Sequence, residues 1–216
     1  DSITNTILIN SYFPQEIHKL AFENDINYIQ IGTDCVFSGL DGQYTEVSYK
    51  DALDLYGKSK IVGEIEGSNK IVIRSSIIGP EQGIGFSLMN WFLNNQELVV
   101  SGYKNHMWNG VTTLNFAKII EGIILNNKIN DFKTHNLIPK NVISKANLLE
   151  QFKIHFKKEI DIDHIDASSV INRTLKSNNS NLNEEIWKSA GYDHVPTIEE
   201  NIEELANSEL THKIMM

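Results

Sequence analysis

The sequence has one cysteine and only two arginines among 216 residues. A lone Cys35 excludes an intrachain disulfide, which fits a reducing compartment, and a cytoplasmic location is expected. The two arginines and the formal net charge of −9 exclude the clustered basic surface that non-specific nucleic-acid binding requires. No apolar run approaches the ~20 residues of a membrane span, and the first residues do not resemble a signal peptide. We therefore expect neither nucleic acid nor membrane as a partner.

A glycine-rich turn is also absent. A dinucleotide-binding fold opens with a strand, a glycine-rich turn and a helix whose N-terminus receives the pyrophosphate. The sequence contains no G-x-G-x-x-G segment and begins inside a predicted helix over 6–24, which Pro14 should kink or break. Compared with a complete fold of this type, the glycine-rich first half, roughly 70 residues, is missing from the sequence.

The hydrophobic pattern that is present indicates a parallel α/β fold. Apolar runs predict strands over 27–32 and 70–75, with a long loop and a helix over 54–67 between them. These runs are continuous rather than alternating, as in strands that are covered on both faces. Helices are also predicted over 112–126, capped by Thr112 or Thr113, and over 144–157, capped by Ser144. The predicted fold class is α/β, a Rossmann-like doubly wound parallel sheet.

Three polar segments should meet at one edge of this sheet. Residues 33–39 follow the first predicted strand, 56–60 begin the next helix, and 75–79 follow the second strand. Ligands of open parallel sheets bind just outside the carboxyl ends of the strands. The three segments are therefore the candidate site.

Tyr56 and Lys60 have a spacing that suits proton transfer. Residues four apart lie on one helix face, so an ammonium at Lys60 should favour the phenolate of Tyr56 and lower a pKa that starts near ~10. Such a tyrosine can give a proton to a developing alkoxide while a nicotinamide delivers hydride, and Thr33 can donate a hydrogen bond to the same oxygen. The pair alone is a weak signal, because the spacing also arises by chance and most helical tyrosines only pack. The combination with the strand ends favours catalysis.

These segments resemble a known family. Thr33 to Gly39, Tyr44 to Glu46 and Asp54 to Lys60, with Gly63-Glu64, are similar to the dTDP-4-dehydrorhamnose reductase group of the extended short-chain dehydrogenases/reductases. The resemblance runs from about residue 10 to 110 and is looser beyond. It implies that residues 1–80 belong to a Rossmann domain, with 97–126 returning to it, and that 81–216 form mainly a smaller sugar-nucleotide-binding α/β lobe.

The resemblance also implies the roles of individual residues. The implied catalytic residues are Thr33, Tyr56 and Lys60, and the implied contacts of the cofactor, NADPH or NADH, are Thr33, Tyr56, Lys60, Ser75, Ser76 and Ile77. Asn10 matches a helix asparagine that helps to position the lysine through water. The predicted substrate-binding residues are Asp34, Val36, Phe37, Trp108, Asn109 and Arg173. For Trp108 and Asn109 packing is an equal alternative, and for Arg173 a surface ion pair is the alternative.

The resemblance discriminates among related reactions. Sugar-nucleotide dehydratases carry Thr-Asp-Glu where this sequence has Thr33-Asp34-Cys35, so the base for elimination is absent, and epimerases usually lack Thr-Asp there. The expected activity is NAD(P)H-dependent reduction of a keto group on a nucleotide-linked deoxysugar in polysaccharide or surface-glycan synthesis. A non-catalytic nucleotide-sugar-binding or regulatory subunit on the same fold is the alternative.

Metal and subunit partners have weaker signals. Asp161, Asp163, His164 and Asp166 are close in sequence, but alternation along a predicted strand over 159–165 indicates a solvated acidic face, so no metal site is expected. The oligomeric state stays open, with a homodimer as one option.

Overall fold

The computed structural model describes residues 2–64, 66–81, 87–126, 133–209 and 211. Its helices are α1 (Ile3–Ile7), α2 (Phe13–Glu23), α3 (Leu55–Gly63), α4 (Leu88–Asn94), α5 (Thr113–Leu125), α6 (Lys145–His155), α7 (Ser180–Ser189) and α8 (Ile198–Ala206). Its strands are β1 (Tyr28–Gly32), β2 (Lys70–Arg74), β3 (Ile77–Ile78), β4 (Val99–Tyr103), β5 (His106–Trp108), β6 (Val111–Thr112), β7 (Thr134–Asn136), β8 (Ile143–Ser144), β9 (Asp161–Ile165) and β10 (Ile171–Asn172).

The first helical region is interrupted, as the position of Pro14 predicted. A π-helical segment, Leu8–Tyr12, joins α1 to α2, and Pro14 lies in the first turn of α2. Tyr12 and Phe13 keep helical backbone angles and the Phe13 N–H donates to the Leu8 carbonyl, so the π-helical turn accommodates the N–H that Pro14 lacks.

The central sheet consists of three parallel strands in the order β1-β2-β7. The five residues of β2 are all buried, which accounts for its continuous apolar run. The aliphatic side chains of β2 pack with α5 and α7 in one core cluster, which includes Ile71, Ile73, Phe116, Ile119, Ile123 and Trp187. The predicted α/β class with a Rossmann-like parallel sheet is confirmed.

The rest of the chain forms smaller sheets around a second core cluster. β4 pairs with β9 in parallel, and β5 lies between β10 and β8. Met89, Phe92, Trp108, Leu148 and Phe152 belong to this cluster. Within 97–126, β4 therefore pairs with the C-terminal strand β9, whereas α5 packs on the central sheet. The division of the chain at residue 80 stays a prediction.

Helix ends follow local capping chemistry. The Thr112 and Ser144 hydroxyls accept the backbone N–H of the third helical residue, so both predicted caps are confirmed. The helix predicted over 54–67 ends at Gly63, and Glu64 turns inward to pair with Arg74 at 2.8 Å. None of the helices in the described ranges has the length and apolar character of a membrane span.

Candidate active site

Helix α3 is held directly against the loop that follows β1. The side chain of Asp54 caps the helix by accepting the N–H of Gly57 at 2.7 Å. A Cβ at Gly57 would lie 2.2 Å from the carbonyl oxygen of Cys35. Only a glycine at this position lets the first turn of α3 approach the loop so closely, and this approach places Tyr56 beside Thr33.

Thr33 lies near Tyr56 at the end of β1. Thr33 caps a 3-10 turn over Asp34–Val36, where its hydroxyl accepts the N–H of Cys35 at 3.1 Å and donates to the Asp34 carboxylate at 3.3 Å. The same hydroxyl is close enough to the phenol of Tyr56 to act on the pKa of that phenol. The structure thus brings together two of the three predicted catalytic side chains, and the third, Lys60, has its Nζ 5.8 Å from the centre of the Tyr56 ring.

The pKa of Tyr56 is shifted opposite to the expected direction. Burial raises the pKa of the phenol, and the neighbouring acidic groups Cys35, Asp34 and Asp54 raise it further, while the nearby Thr33 hydroxyl opposes them. The expected lowering by Lys60 is wrong, because burial and nearby acidic groups dominate. A raised pKa keeps the phenol protonated, which is the form that a proton donor needs.

Asn10 touches α3 between the two predicted catalytic positions. Its side-chain amide donates to the Ser59 hydroxyl at 3.1 Å, and that hydroxyl donates to the carbonyl of Tyr56 at 2.8 Å. Asn10 and Tyr56 also line an open cleft of about 710 Å³, together with Ile9 and Leu55. Asn10 therefore supports the helix turn that carries Tyr56.

The predicted cofactor residues at the end of β2 differ in accessibility. The Ser75 hydroxyl is buried and donates to the carbonyl of Leu137 at 3.1 Å. The Ser76 hydroxyl accepts the indole N–H of Trp108 at 2.8 Å. Ile77 is 37% exposed, so its side chain is the most accessible of the three.

The predicted substrate residues near β1 are mostly enclosed. Val36 and Phe37 are fully buried, and Phe37 stacks on Tyr44 with ring centres 4.4 Å apart. Asp34 is buried too, and burial raises its pKa while Lys145 and Arg173 oppose the rise. In this structure the side chains of Val36 and Phe37 belong to a small core and Asp34 faces cations.

The other three predicted substrate residues have structural partners. Asn109 is buried and forms two hydrogen bonds with the backbone of Leu175, at 2.7 and 2.9 Å. Arg173 donates through Nε to the carbonyl of Phe37 at 3.0 Å. Trp108 is 4% exposed. These contacts within the protein explain the positions of the three side chains. The roles of the three residues in substrate binding stay predictions.

Sequence reasoning missed Lys145, which lies where the candidate site meets a second cavity. The cavity, of about 580 Å³, is lined by Trp91, Tyr103, His106 and Lys145, with Glu97 and Ser101; we call it the aromatic cavity. A lysine in the first turn of a helix opposes the helix dipole. A lysine directly after the predicted Ser144 cap was therefore a sign in the sequence that this position has a function, because residues that break a local rule tend to lie at functional positions.

The acidic segment near residue 161 has no metal-binding arrangement. Asp161 and Asp163 are exposed on β9. Over the part of the chain that the structure describes, no three His, Cys, Asp or Glu side chains are grouped so that they could hold a metal ion.

Comparison with known proteins gives a family match over most of the chain. The family described as RmlD substrate binding domain matches residues 2–210. None of the curated proteins matches the chain.

Solved structures share the fold at low identity. The dTDP-4-dehydrorhamnose reductase of Clostridium acetobutylicum is 16% identical with a TM-score of 0.70, over 91% of this chain and 70% of that one. The Bacillus anthracis enzyme of the same name, in complex with NADP, is 15% identical with a TM-score of 0.68, over 91% and 70%. The dTDP-glucose 4,6-dehydratase of Bacillus anthracis, in complex with NAD, is 18% identical with a TM-score of 0.66, over 91% and 66%.

Proposed function

Because this chain belongs to the RmlD substrate binding domain family, as its resemblance to dTDP-4-dehydrorhamnose reductases predicted, we propose that it reduces a keto group on a nucleotide-linked deoxysugar. The reductant is NADPH or NADH, and the product serves polysaccharide or surface-glycan synthesis. The observation that carries this proposal is the proximity of the hydroxyls of Thr33 and Tyr56, where Thr33 acts on the pKa of the phenol. Two neighbouring hydroxyls can both hydrogen-bond one carbonyl oxygen, and one of them can give up a proton to it.

Each residue of the site then has one task. When bound, the nicotinamide supplies hydride to the carbonyl carbon. Tyr56 donates its phenolic proton to the carbonyl oxygen, and Thr33 orients that oxygen through a hydrogen bond. Lys60, one turn along α3, holds the ribose of the cofactor. Asn10 keeps this turn in place through Ser59.

The described residues fit the nicotinamide end of such a cofactor. The Tyr56 ring is 46% exposed and lines the open cleft of about 710 Å³ beside Asn10. Lys60 lies on the same helix face and has an ammonium that can donate to ribose hydroxyls. Structural neighbours were solved with NADP and with NAD, so the proposal includes both cofactors.

Reduction fits this loop better than dehydration. Elimination of water needs a base next to the sugar, and the side chain at that position here is Cys35. Burial, followed by the charge of Asp34, raises the pKa of the Cys35 thiol, which keeps it protonated and unsuited to act as a base. The proximity of the Thr33 and Tyr56 hydroxyls also favours a catalytic protein over a purely non-catalytic subunit, because binding alone does not need a proton donor beside a second hydroxyl.

A spectrophotometric assay tests the proposal. The full-length protein is incubated with a dTDP-linked 4-keto-6-deoxysugar and NADPH or NADH, and the loss of cofactor absorbance is followed. Mass spectrometry of the sugar nucleotide should show a gain of two hydrogens. If the protein binds the sugar nucleotide, binds neither cofactor and turns nothing over, the non-catalytic subunit is correct and the reductase is not.

A further inference from the structure

Lys145 extends from the start of α6 toward the candidate active site. It directly follows the N-cap Ser144, so the base of its side chain is fixed by the helix. Its ammonium lies 5.6 Å from the centre of the Trp108 ring, and that ring is anchored by its hydrogen bond to Ser76. The ammonium also interacts electrostatically with Asp34. Lys145 therefore lies between the loop that carries Thr33 and the aromatic cavity.

The Lys145 ammonium faces the Trp108 ring but has no hydrogen-bonded or ion-paired partner among the residues that the structure describes. Within the described ranges, neither a hydrogen bond nor an ion pair engages it, whereas Lys153 on the same helix pairs with Asp161 at 3.2 Å. Burial lowers the pKa of Lys145, and the charge of Asp34 opposes this. A half-buried cation without a hydrogen-bonded partner costs free energy. A ligand that supplies anionic oxygens would remove that cost.

The neighbouring cation is already engaged. Arg173, one of the predicted substrate-binding residues, donates through Nε to the carbonyl of Phe37 and lies 4.0 Å from Asp54. Its role in this structure is to hold the loop after β1. Of the two cations that act on Asp34, Lys145 is the one that has neither a hydrogen bond nor an ion pair among the described residues.

The aromatic cavity offers complementary contacts for the rest of such a ligand. Trp91 and Tyr103 are 44% and 39% exposed, and the rings of Tyr103 and His106 lie 4.8 Å apart. Aromatic side chains bind planar rings by stacking. Lys145 also stands at the N-terminus of the eleven-residue α6, where the helix dipole adds positive potential. The cavity thus combines ring-binding surfaces with one cationic end.

We propose that Lys145 is a specificity-determining residue whose ammonium binds a phosphate oxygen of the substrate at the junction of the aromatic cavity and the Thr33 loop. The proposal rests on the proposed function for the identity of the substrate, a nucleoside diphosphate sugar. It adds the residue whose charge makes binding of the substrate depend on its phosphate. Removal of the charge at position 145 should therefore weaken the binding of phosphorylated ligands and leave uncharged ones unaffected.

Calorimetric titration with dTDP, thymidine, inorganic phosphate and NADPH tests this in the full-length protein. In Lys145→Met we expect dTDP to bind about 10- to 100-fold more weakly, as for a lost charge-assisted hydrogen bond, with thymidine unchanged. Lys145→Gln should behave in the same way if the methionine variant folds poorly, and Lys145→Arg should retain most of the affinity. Lys153→Met, which removes a charge from the same helix, is the matched control and should bind dTDP as the unmodified protein does.

The four ligands distinguish the phosphate of the substrate from the phosphate of the cofactor. If the variant loses affinity for dTDP alone, Lys145 binds the substrate. If it loses affinity for NADPH alone, Lys145 binds the cofactor and the proposal is overturned. Equal losses for dTDP and thymidine, or unchanged dTDP affinity in both neutral variants, would also overturn it. Binding is measured without turnover, so an absence of reductase activity together with a Lys145-dependent dTDP affinity would overturn only the proposed function.

Discussion

The ammonium of Lys60 lies 5.8 Å from the centre of the Tyr56 ring, one turn along the same helix, yet the pKa of Tyr56 is raised and not lowered. Burial of the phenol is the largest cause, and the charges of Cys35, Asp34 and Asp54 act in the same direction. The proposed proton donor is therefore held in its protonated form by the loop after β1. Binding of the cofactor is the role that we propose for Lys60.

Removal of the Tyr56 hydroxyl should abolish most turnover without unfolding the protein. Because the proposed role is proton donation, Tyr56→Phe should lower kcat by at least ~100-fold, the range for loss of a general acid. The ring is 46% exposed, so its packing persists in phenylalanine. Tyr49→Phe is the control, since Tyr49 is 86% exposed, and it should leave kcat unchanged. Steady-state kinetics and thermal unfolding check both variants, and wild-type turnover in Tyr56→Phe would rule out this role.

The pH dependence of reduction should follow the raised pKa of Tyr56. The active form of Tyr56 is the protonated phenol. Nearly all of the protein has this form at pH values below the pKa of Tyr56, and the fraction falls as the pH rises through that pKa. Since the pKa lies above the usual tyrosine value of about 10, kcat/KM for reduction should show no tyrosine-linked decline from neutral pH up to that value. A profile of kcat/KM against pH reports the free enzyme. A decline centred well below pH ~10 that is absent from Tyr56→Phe would show that Lys60 controls the phenol.

The buried ion pair between Glu64 and Arg74 should be important for stability. The guanidinium contacts both carboxylate oxygens, with Nε at 3.1 and 3.0 Å and one terminal nitrogen at 2.8 Å, and the two side chains are 1% and 4% exposed. Glu64→Gln leaves a buried positive charge uncompensated, which should lower the free energy of unfolding by about 3 kcal/mol or more. Urea denaturation measures this. Glu66→Gln, a change at an exposed glutamate nearby, should shift stability by less than about 0.5 kcal/mol, and similar values for both variants would contradict the prediction.

The central strands and the helix caps could be predicted from the sequence because they depend on local patterns. β1 and β2 are short apolar runs, and Thr112 and Ser144 stand directly before periodic apolar segments. β7 was missed because Thr134–Asn136 is short and polar. Its side chains are accommodated by partners distant in sequence, such as the carbonyl of Tyr44, which accepts from Asn136 at 3.0 Å.

Features of the site that depend on burial could not be predicted from spacing. The interval between Tyr56 and Lys60 gives their proximity, but the direction of the pKa shift depends on how deeply the loop after β1 encloses the phenol. Lys145 approaches Asp34 only through packing of α6 near the loop, more than a hundred residues away in sequence. Sequence therefore predicted the residue types of the site more fully than their electrostatics.

Asn109 provides a test that separates structural support from substrate binding. Its buried amide accepts the N–H of Leu175 and donates to the Leu175 carbonyl, which ties the segment after β10 to the turn after β5. Asn109→Ala leaves both backbone groups without these partners, so the free energy of unfolding should fall by about 2 kcal/mol or more. Chemical denaturation of Asn109→Ala, with exposed Asn207→Ala as the control, measures the loss. An unchanged stability combined with a raised KM for the sugar nucleotide would instead make Asn109 a substrate ligand, as the sequence first suggested.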